Sequence, residues 1–116
     1  MAEEVAPAAA QDFREAHEAC SGSDADYLLK ERLAGCTAII AMGPSRFLYN
    51  AYVNRAGHYA LSEDYERAIA DLNEAIRLEP GTAIAFKIRG LIETVLGRKA
   101  EAAVDLARAK AIDPAS

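Results

Sequence analysis

The chain has 116 residues, of which 52% are apolar, 7% aromatic and 27% charged, and its formal net charge is −5. This length suits one compact domain or a short repeat array. An acidic chain without a run of Lys and Arg is not expected to bind nucleic acid. No apolar run is long enough to cross a membrane. The composition therefore predicts no nucleic-acid partner and no membrane span.

The N-terminal part of the chain, residues 1–48, divides into a lead-in and a helical pair. Residues 1–10 are rich in small residues and contain a proline, which predicts a disordered lead-in. Residues 11–48 show helical spacing in two stretches, so we expect a hairpin. We expect Asp24 to cap its second helix and Pro44 to stop it. The apolar faces of the two helices consist of Phe13, Ala16, His17 and Cys20, and of Leu29, Leu33, Cys36 and Ile40.

The rest of the chain contains an internal repeat. A single constant shift along the sequence places Ala51 to Pro80 on Ala85 to Pro114. The identical pairs combine small residues, charges and a closing proline at fixed spacing, which an Ala-rich composition alone does not readily produce. They are Ala51/Ala85, Arg55/Arg89, Ala68/Ala102, Asp71/Asp105, Leu72/Leu106, Ala75/Ala109 and Pro80/Pro114.

Each repeat is predicted to contain two helices. In the first repeat, Ser62 or Asp64 is a candidate cap for the second helix, and Pro80 ends it. Arg67 and Asp71, four residues apart and outside the apolar stripe, are expected to pair. The stripe of that second helix consists of Tyr65, Ala68, Ile69, Leu72, Ala75 and Ile76, and the first helix shows Tyr52, Ala56 and Tyr59 on one face.

These residues resemble the tetratricopeptide repeat, whose pattern places aromatic and small residues, two alanines and a proline at such spacings. One repeat spans 49–82 and the next 83–116, where Glu93 and Lys99 replace aromatic residues of the pattern. The resemblance implies an all-α fold of three stacked antiparallel helix hairpins forming a short right-handed α-solenoid. Two tetratricopeptide repeats would follow a divergent helical pair.

The resemblance also implies a non-catalytic module that binds another protein in the concave groove. We expect an amphipathic helix or an extended apolar peptide as the ligand. Asn54 matches a position that the family uses to hydrogen-bond a peptide, whereas apolar Ile84 and Ile88 disfavour a carboxylate clamp. His58 is expected to face the groove or solvent, and Arg55 and Arg89 to form salt bridges. The groove residues are Asn50, Val53, Asn54, Leu61, Ile84, Lys87, Ile88, Leu91 and Val95.

Cys20 and Cys36 leave three interpretations open: a disulfide, two separate buried thiols, or a redox-active or metal-binding pair. In a hairpin that turns near Ser23, Cys20 lies opposite Asp26, and Cys36 is ~15 Å further along the helix. A disulfide then requires the Cys20 segment to be non-helical and to fold back.

Neither catalysis nor a cofactor or metal finds support, because no phosphate loop, nucleophile elbow or metal-ligand spacing occurs. Two alternatives to ligand capture remain. The first is self-association as a homodimer through the last helix, at Val104 or Leu106; the second is thiol-redox chemistry at Cys20 and Cys36. The N-terminal half resembles small exported bacterial tetratricopeptide proteins, which implies a periplasmic or secreted location with the signal peptide absent from this chain; a cytoplasmic location is the alternative.

Overall fold

The structure, a computed structural model, describes residues 8–22 and 27–116. Over these residues the protein is all-helical. No strand occurs in that part of the chain, which confirms the all-α prediction. Within the same residues, none of the helices has both the length and the apolarity that a membrane crossing requires. The helices are α1 (Ala8–Ser21), α2 (Leu29–Ala41), α3 (Leu48–Leu61), α4 (Tyr65–Leu78), α5 (Ala83–Val95) and α6 (Lys99–Ile112).

The chain forms two compact units, Met1–Arg55 and Ala56–Ser116, whose boundary falls within α3. Helix α1 begins at Ala8, so it includes the last three residues of the expected lead-in. Residues 1–7 lie outside the described part of the chain.

In the first unit, α1 and α2 approach each other closely at Gly35. A Cβ built on Gly35 would lie 2.6 Å from the carbonyl oxygen of Ala16, 2.9 Å from the Cβ of Ala19 and 3.0 Å from the backbone nitrogen of Cys20. A side chain of any size would push the helices apart, so glycine at this position lets the backbone of α2 lie directly against α1.

The core of the first unit combines small and sulfur-containing residues with an aromatic group at its edge. The rings of Phe13 and Phe47 lie 5.0 Å apart, and the ring of His17 is 5.3 Å from that of Phe47. His17 therefore packs among rings, as aromatic side chains with offset or edge contacts commonly do. The buried members of this core are Ala16, Cys20, Cys36, Ile39 and Ala51.

The expected geometry of the first hairpin was wrong in one respect. Cys20 is helical, yet it is bonded to Cys36, with the two Cα atoms 4.5 Å apart. Helix α2 begins only at Leu29, where Glu31 Oε1 accepts a hydrogen bond from the Leu28 amide at 2.8 Å. This later start brings Cys36 within two turns of the helix N-terminus and beside the end of α1. Asp24, the expected cap, lies outside the described residues.

In the second unit, the predicted limits of α4 are confirmed. Asp64 is the N-cap and accepts a hydrogen bond from the Arg67 amide, and the helix ends at Leu78, two residues before Pro80. The predicted small residues of its stripe, Ala68 and Ala75, have no solvent exposure. Because these buried side chains are small, the helix can lie close to the residues that cover it.

Helices α5 and α6 make a second close approach, at Gly90. A Cβ on Gly90 would lie 2.8 Å from Leu106 Cδ2 and 3.3 Å from the Cβ of Asp105. Leu106 therefore fills the space above the glycine and is only partly exposed. This contact fixes the distance at which polar side chains of α5 and α6 face each other.

The turns that join the helices of the two repeats share one backbone conformation. Glu63, between α3 and α4, has φ of 61°, and Gly97, between α5 and α6, has φ of 79°. The two positions are equivalent, because the shift that superimposes the repeats places one on the other. Glycine adopts this left-handed conformation without a steric penalty, whereas glutamate does not.

Two polar residues lie elsewhere than the sequence suggested. Asp71 is only 5% exposed, and Arg67 pairs instead with Asp64, one turn earlier, at 2.9 Å. His58 is 7% exposed and does not face solvent. The polarity of Asp71 predicts a position outside the apolar stripe, whereas the helical register turns it inward. The groove alternative for His58 remains a prediction.

Candidate functional site

Helix α5 presents an apolar stripe to solvent. Ile84, Leu91 and Val95 are exposed by 47%, 50% and 65%, although each is a large aliphatic residue. Lys87 and Ile88 are partly exposed and lie at the intervening helical positions. Since residues spaced by three, four and seven share one face of a helix, these side chains form a continuous surface, which we name the α5 stripe.

The other residues predicted for the groove are placed on different elements. Leu61 is exposed by 68% at the C-terminal end of α3 and belongs to the second unit with the α5 stripe. Asn50 is exposed, and Val53 and Asn54 are partly exposed, within the first unit. The structure thus brings together five of the predicted residues on one helix.

The opposite face of α5 carries an ion-paired cluster. Arg89 donates to both carboxylate oxygens of Asp105 at 2.7 and 2.8 Å, and also to Asn73 Oδ1 at 2.7 Å. Glu93, four residues after Arg89, has its Oε2 4.0 Å from the Nε of that arginine. This geometry confirms the expected salt bridge of Arg89. In the first unit, Arg55 donates to Thr37 Oγ1 at 3.0 Å.

The two carboxyl groups of this cluster have opposite pKa shifts. Burial, followed by its hydrogen bond to Asp105 and the charge of that residue, raises the pKa of Glu93 to about 7. Burial acts in the same direction on Asp105, but hydrogen bonds from Arg89 and Glu93 outweigh it and lower the pKa of Asp105. The hydrogen bonds to Asp105 in turn raise the pKa of Arg89. Glu93 therefore keeps its proton to a higher pH than an exposed glutamate does.

A cleft of about 430 Å³ opens beside this cluster, lined by Arg89, Glu93, Ala100, Glu101, Val104 and Asp105. Sequence reasoning noted Glu93 only as a departure from the repeat pattern and missed the cleft. The signal was present: two opposite charges, Arg89 and Asp105, recur with the repeat, and a carboxylate near them stands where the preceding repeat has an aromatic residue.

The two cysteines form a disulfide whose members are 2% and 0% exposed. Cys20 and Cys36 are thus joined in the interior of the first unit. Among the residues that the structure describes, no group of three or more His, Cys, Asp or Glu side chains is arranged to hold a metal ion.

The last helix exposes one of the two residues predicted for self-association. Val104 is 68% exposed, whereas Leu106 packs against Gly90. The apolar surface of α6 is therefore centred on Val104.

No family model matches the chain, and no curated protein matches it.

Proposed function

We propose that the chain is a non-catalytic protein-interaction module, arranged as tetratricopeptide repeats, which binds a helix or extended peptide of another protein on the α5 stripe. The observation that supports this proposal is the exposure of Ile84, Leu91 and Val95 on one helical face. Contiguous apolar surface of this kind on a soluble helix marks an interaction site more often than scattered apolar residues do.

The stripe defines the chemistry of its ligand. Aliphatic side chains at successive turns receive aliphatic anchors spaced by three, four or seven residues in a partner helix. Lys87 is the charged residue within the stripe, so an acidic side chain of the ligand near it would fix the register. The tetratricopeptide resemblance assigns Asn50, Val53 and Asn54 of the first unit to the same kind of surface.

The proposal is tested by selecting peptides from a displayed random library on the purified protein. We expect the selected peptides to carry spaced aliphatic residues and an acidic residue, and to lose binding to the double variant Lys87→Glu with Leu91→Asp. The matched control is Lys99→Glu with Ala103→Asp, which places the same charges four residues apart on the exposed face of α6. Peptides that bind the first double variant as well as wild type would refute the proposed site.

Self-association through α6 is a second candidate function, favoured by the exposure of Val104. Light scattering over a concentration series tests it. A mass that rises from 12.4 kDa towards twice that value, and that returns to the monomer value in Val104→Glu, supports a homodimer. A monomer mass at every concentration rules it out.

We further propose that the protein acts in an oxidising compartment, the periplasm or the extracellular space, and not in the cytoplasm. A buried disulfide supports this proposal, because such bonds persist where thiols are not kept reduced. The thiol-redox alternative gains no support from the same burial, since exchange requires a thiolate to reach one of the sulfur atoms. Alkylation of unreduced protein taken from its native cells and denatured in the presence of the reagent, which exposes the buried sulfur atoms, tests the location: labelled cysteines would contradict it.

A further inference from the structure

We propose that the cleft between α5 and α6 binds a cationic side chain, an arginine or a lysine, carried by an amphipathic helix of a partner protein. The carboxyl group that receives it is Glu93. This site lies on the side of α5 opposite to the α5 stripe, so it does not depend on the function proposed above.

Glu93 carries a polar atom whose hydrogen-bonding capacity is unsatisfied. The Glu93 side chain lines the cleft and is 10% exposed, and its Oε1 atom has no hydrogen-bond partner among the described residues. Buried carboxylate oxygens almost always have a partner, because leaving one without is costly. Because Oε1 itself is buried, a donor that enters the cleft would supply the missing partner when the Glu93 side chain rotates towards it.

Negative groups outnumber positive ones around Glu93. The groups that face Glu93 are Arg89 on its own helix and Asp105 and Glu101 on α6, while α4 contributes the uncharged Asn73 to Arg89. One positive charge thus faces three carboxyl groups, and both oxygens of Asp105 are already used by Arg89. A second positive charge would complete the cluster.

The cleft favours an organic cation over a metal ion. The described residues contain no arrangement of His, Cys, Asp or Glu that suits metal coordination. A guanidinium or ammonium group needs only hydrogen-bond acceptors, which Glu93 and Glu101 provide.

A helix is the carrier that the repeat favours. Helix α5 already packs against α4, and its Arg89 donates to an amide acceptor, Asn73, of that helix. Helix α6 corresponds to α4 after the shift that superimposes the two repeats; Asn73 then falls on Ala107, so the acceptors beside α6 are the carboxyl groups of the cleft. Its exposed Val104, beside the cleft, provides an apolar contact for a residue one turn from the partner's cation.

The first test uses wild-type protein and butylguanidinium as the probe, with the Glu93 carboxyl carbon followed by NMR. A cation that binds the ionised carboxylate lowers the pKa of Glu93 and binds more tightly as pH rises. Because the ionised fraction of a group with pKa about 7 rises about tenfold between pH ~6 and ~8, we expect the half-saturating concentration to fall by about the same factor. An unchanged pKa of Glu93, or the same half-saturating concentration of butylguanidinium at both pH values, would overturn the proposal.

The second test identifies the carrier and compares Glu93→Gln, which keeps the shape of the protonated side chain, with Glu74→Gln on α4 as control. The probe is a short helical peptide with one arginine and a leucine four residues away, beside the same peptide with neutral citrulline. We expect about tenfold tighter binding of the arginine peptide, a difference that is lost in Glu93→Gln and kept in the control. Equal binding of the two peptides, or a mass that doubles without peptide, would refute a foreign basic helix as the occupant.

Discussion

The close approach of α1 and α2 leads to a prediction about Gly35→Ala. Alanine normally improves on glycine within a helix by about 1 kcal/mol, because it loses less backbone entropy on folding. At Gly35 the new methyl group would meet two backbone atoms, of Ala16 and Cys20, neither of which can rotate away. Overpacking of this kind costs about 1–3 kcal/mol. The clash therefore outweighs the gain by up to about 2 kcal/mol, and we expect a net loss of that order in the free energy of unfolding.

The same substitution at Gly57 provides the control. A Cβ on this residue of α3 would meet nothing within 4 Å, so Gly57→Ala should show the gain without the clash. Urea unfolding followed by far-UV circular dichroism measures both variants, and the difference between them isolates the steric contribution. If Gly35→Ala stabilises the protein as much as Gly57→Ala does, the two helices are not in backbone contact and the reasoning is wrong.

Three further predictions concern the described bonds and backbone. Replacing both Cys20 and Cys36 with serine should lower the free energy of unfolding by about 3 kcal/mol, given their sequence separation of 16; a urea midpoint insensitive to the change would contradict this. Glu63→Gly should raise the free energy of unfolding by about 0.5–1 kcal/mol by relieving left-handed strain, and Gly97→Ala should lower it similarly; equal urea midpoints for the two variants would contradict this. Because the pKa of Glu93 is raised in the folded protein, its stabilising contribution is complete below pH ~4.5 and is lost as pH rises through about 7. Glu93→Gln should therefore flatten the pH dependence of unfolding in that window, and a slope equal to that of wild type would count against the raised pKa.

The helix limits followed from the sequence because they depend on local chemistry. Asp64 caps α4 and Pro80 follows its end, and both effects act within one turn of the residue concerned. The repeat also indicated which alanines are buried. Alanine occurs at the same position of both copies, as Ala68 in the first and Ala102 in the second, and both are buried.

The carboxyl cluster could not be predicted in the same way. Burial of Asp105 depends on the arginine that reaches it from another helix, and the burial of Glu93 depends on that pair in turn. The disulfide likewise depends on the position of α2, which the residues of the connection did not reveal. Gly35 was the available signal, as a glycine inside a helix beside a cysteine indicates close contact.

The bond between Cys20 and Cys36 closes a covalent ring that includes Leu28, which is 62% exposed and has extended backbone, with φ −73° and ψ 160°. A protease that cuts the chain beside Leu28 would open this ring without dividing the molecule. The nicked protein would gain one water molecule in mass and migrate as a single species until it is reduced. Electrophoresis with and without reductant would then distinguish an opened ring from an intact one, although both contain the same residues.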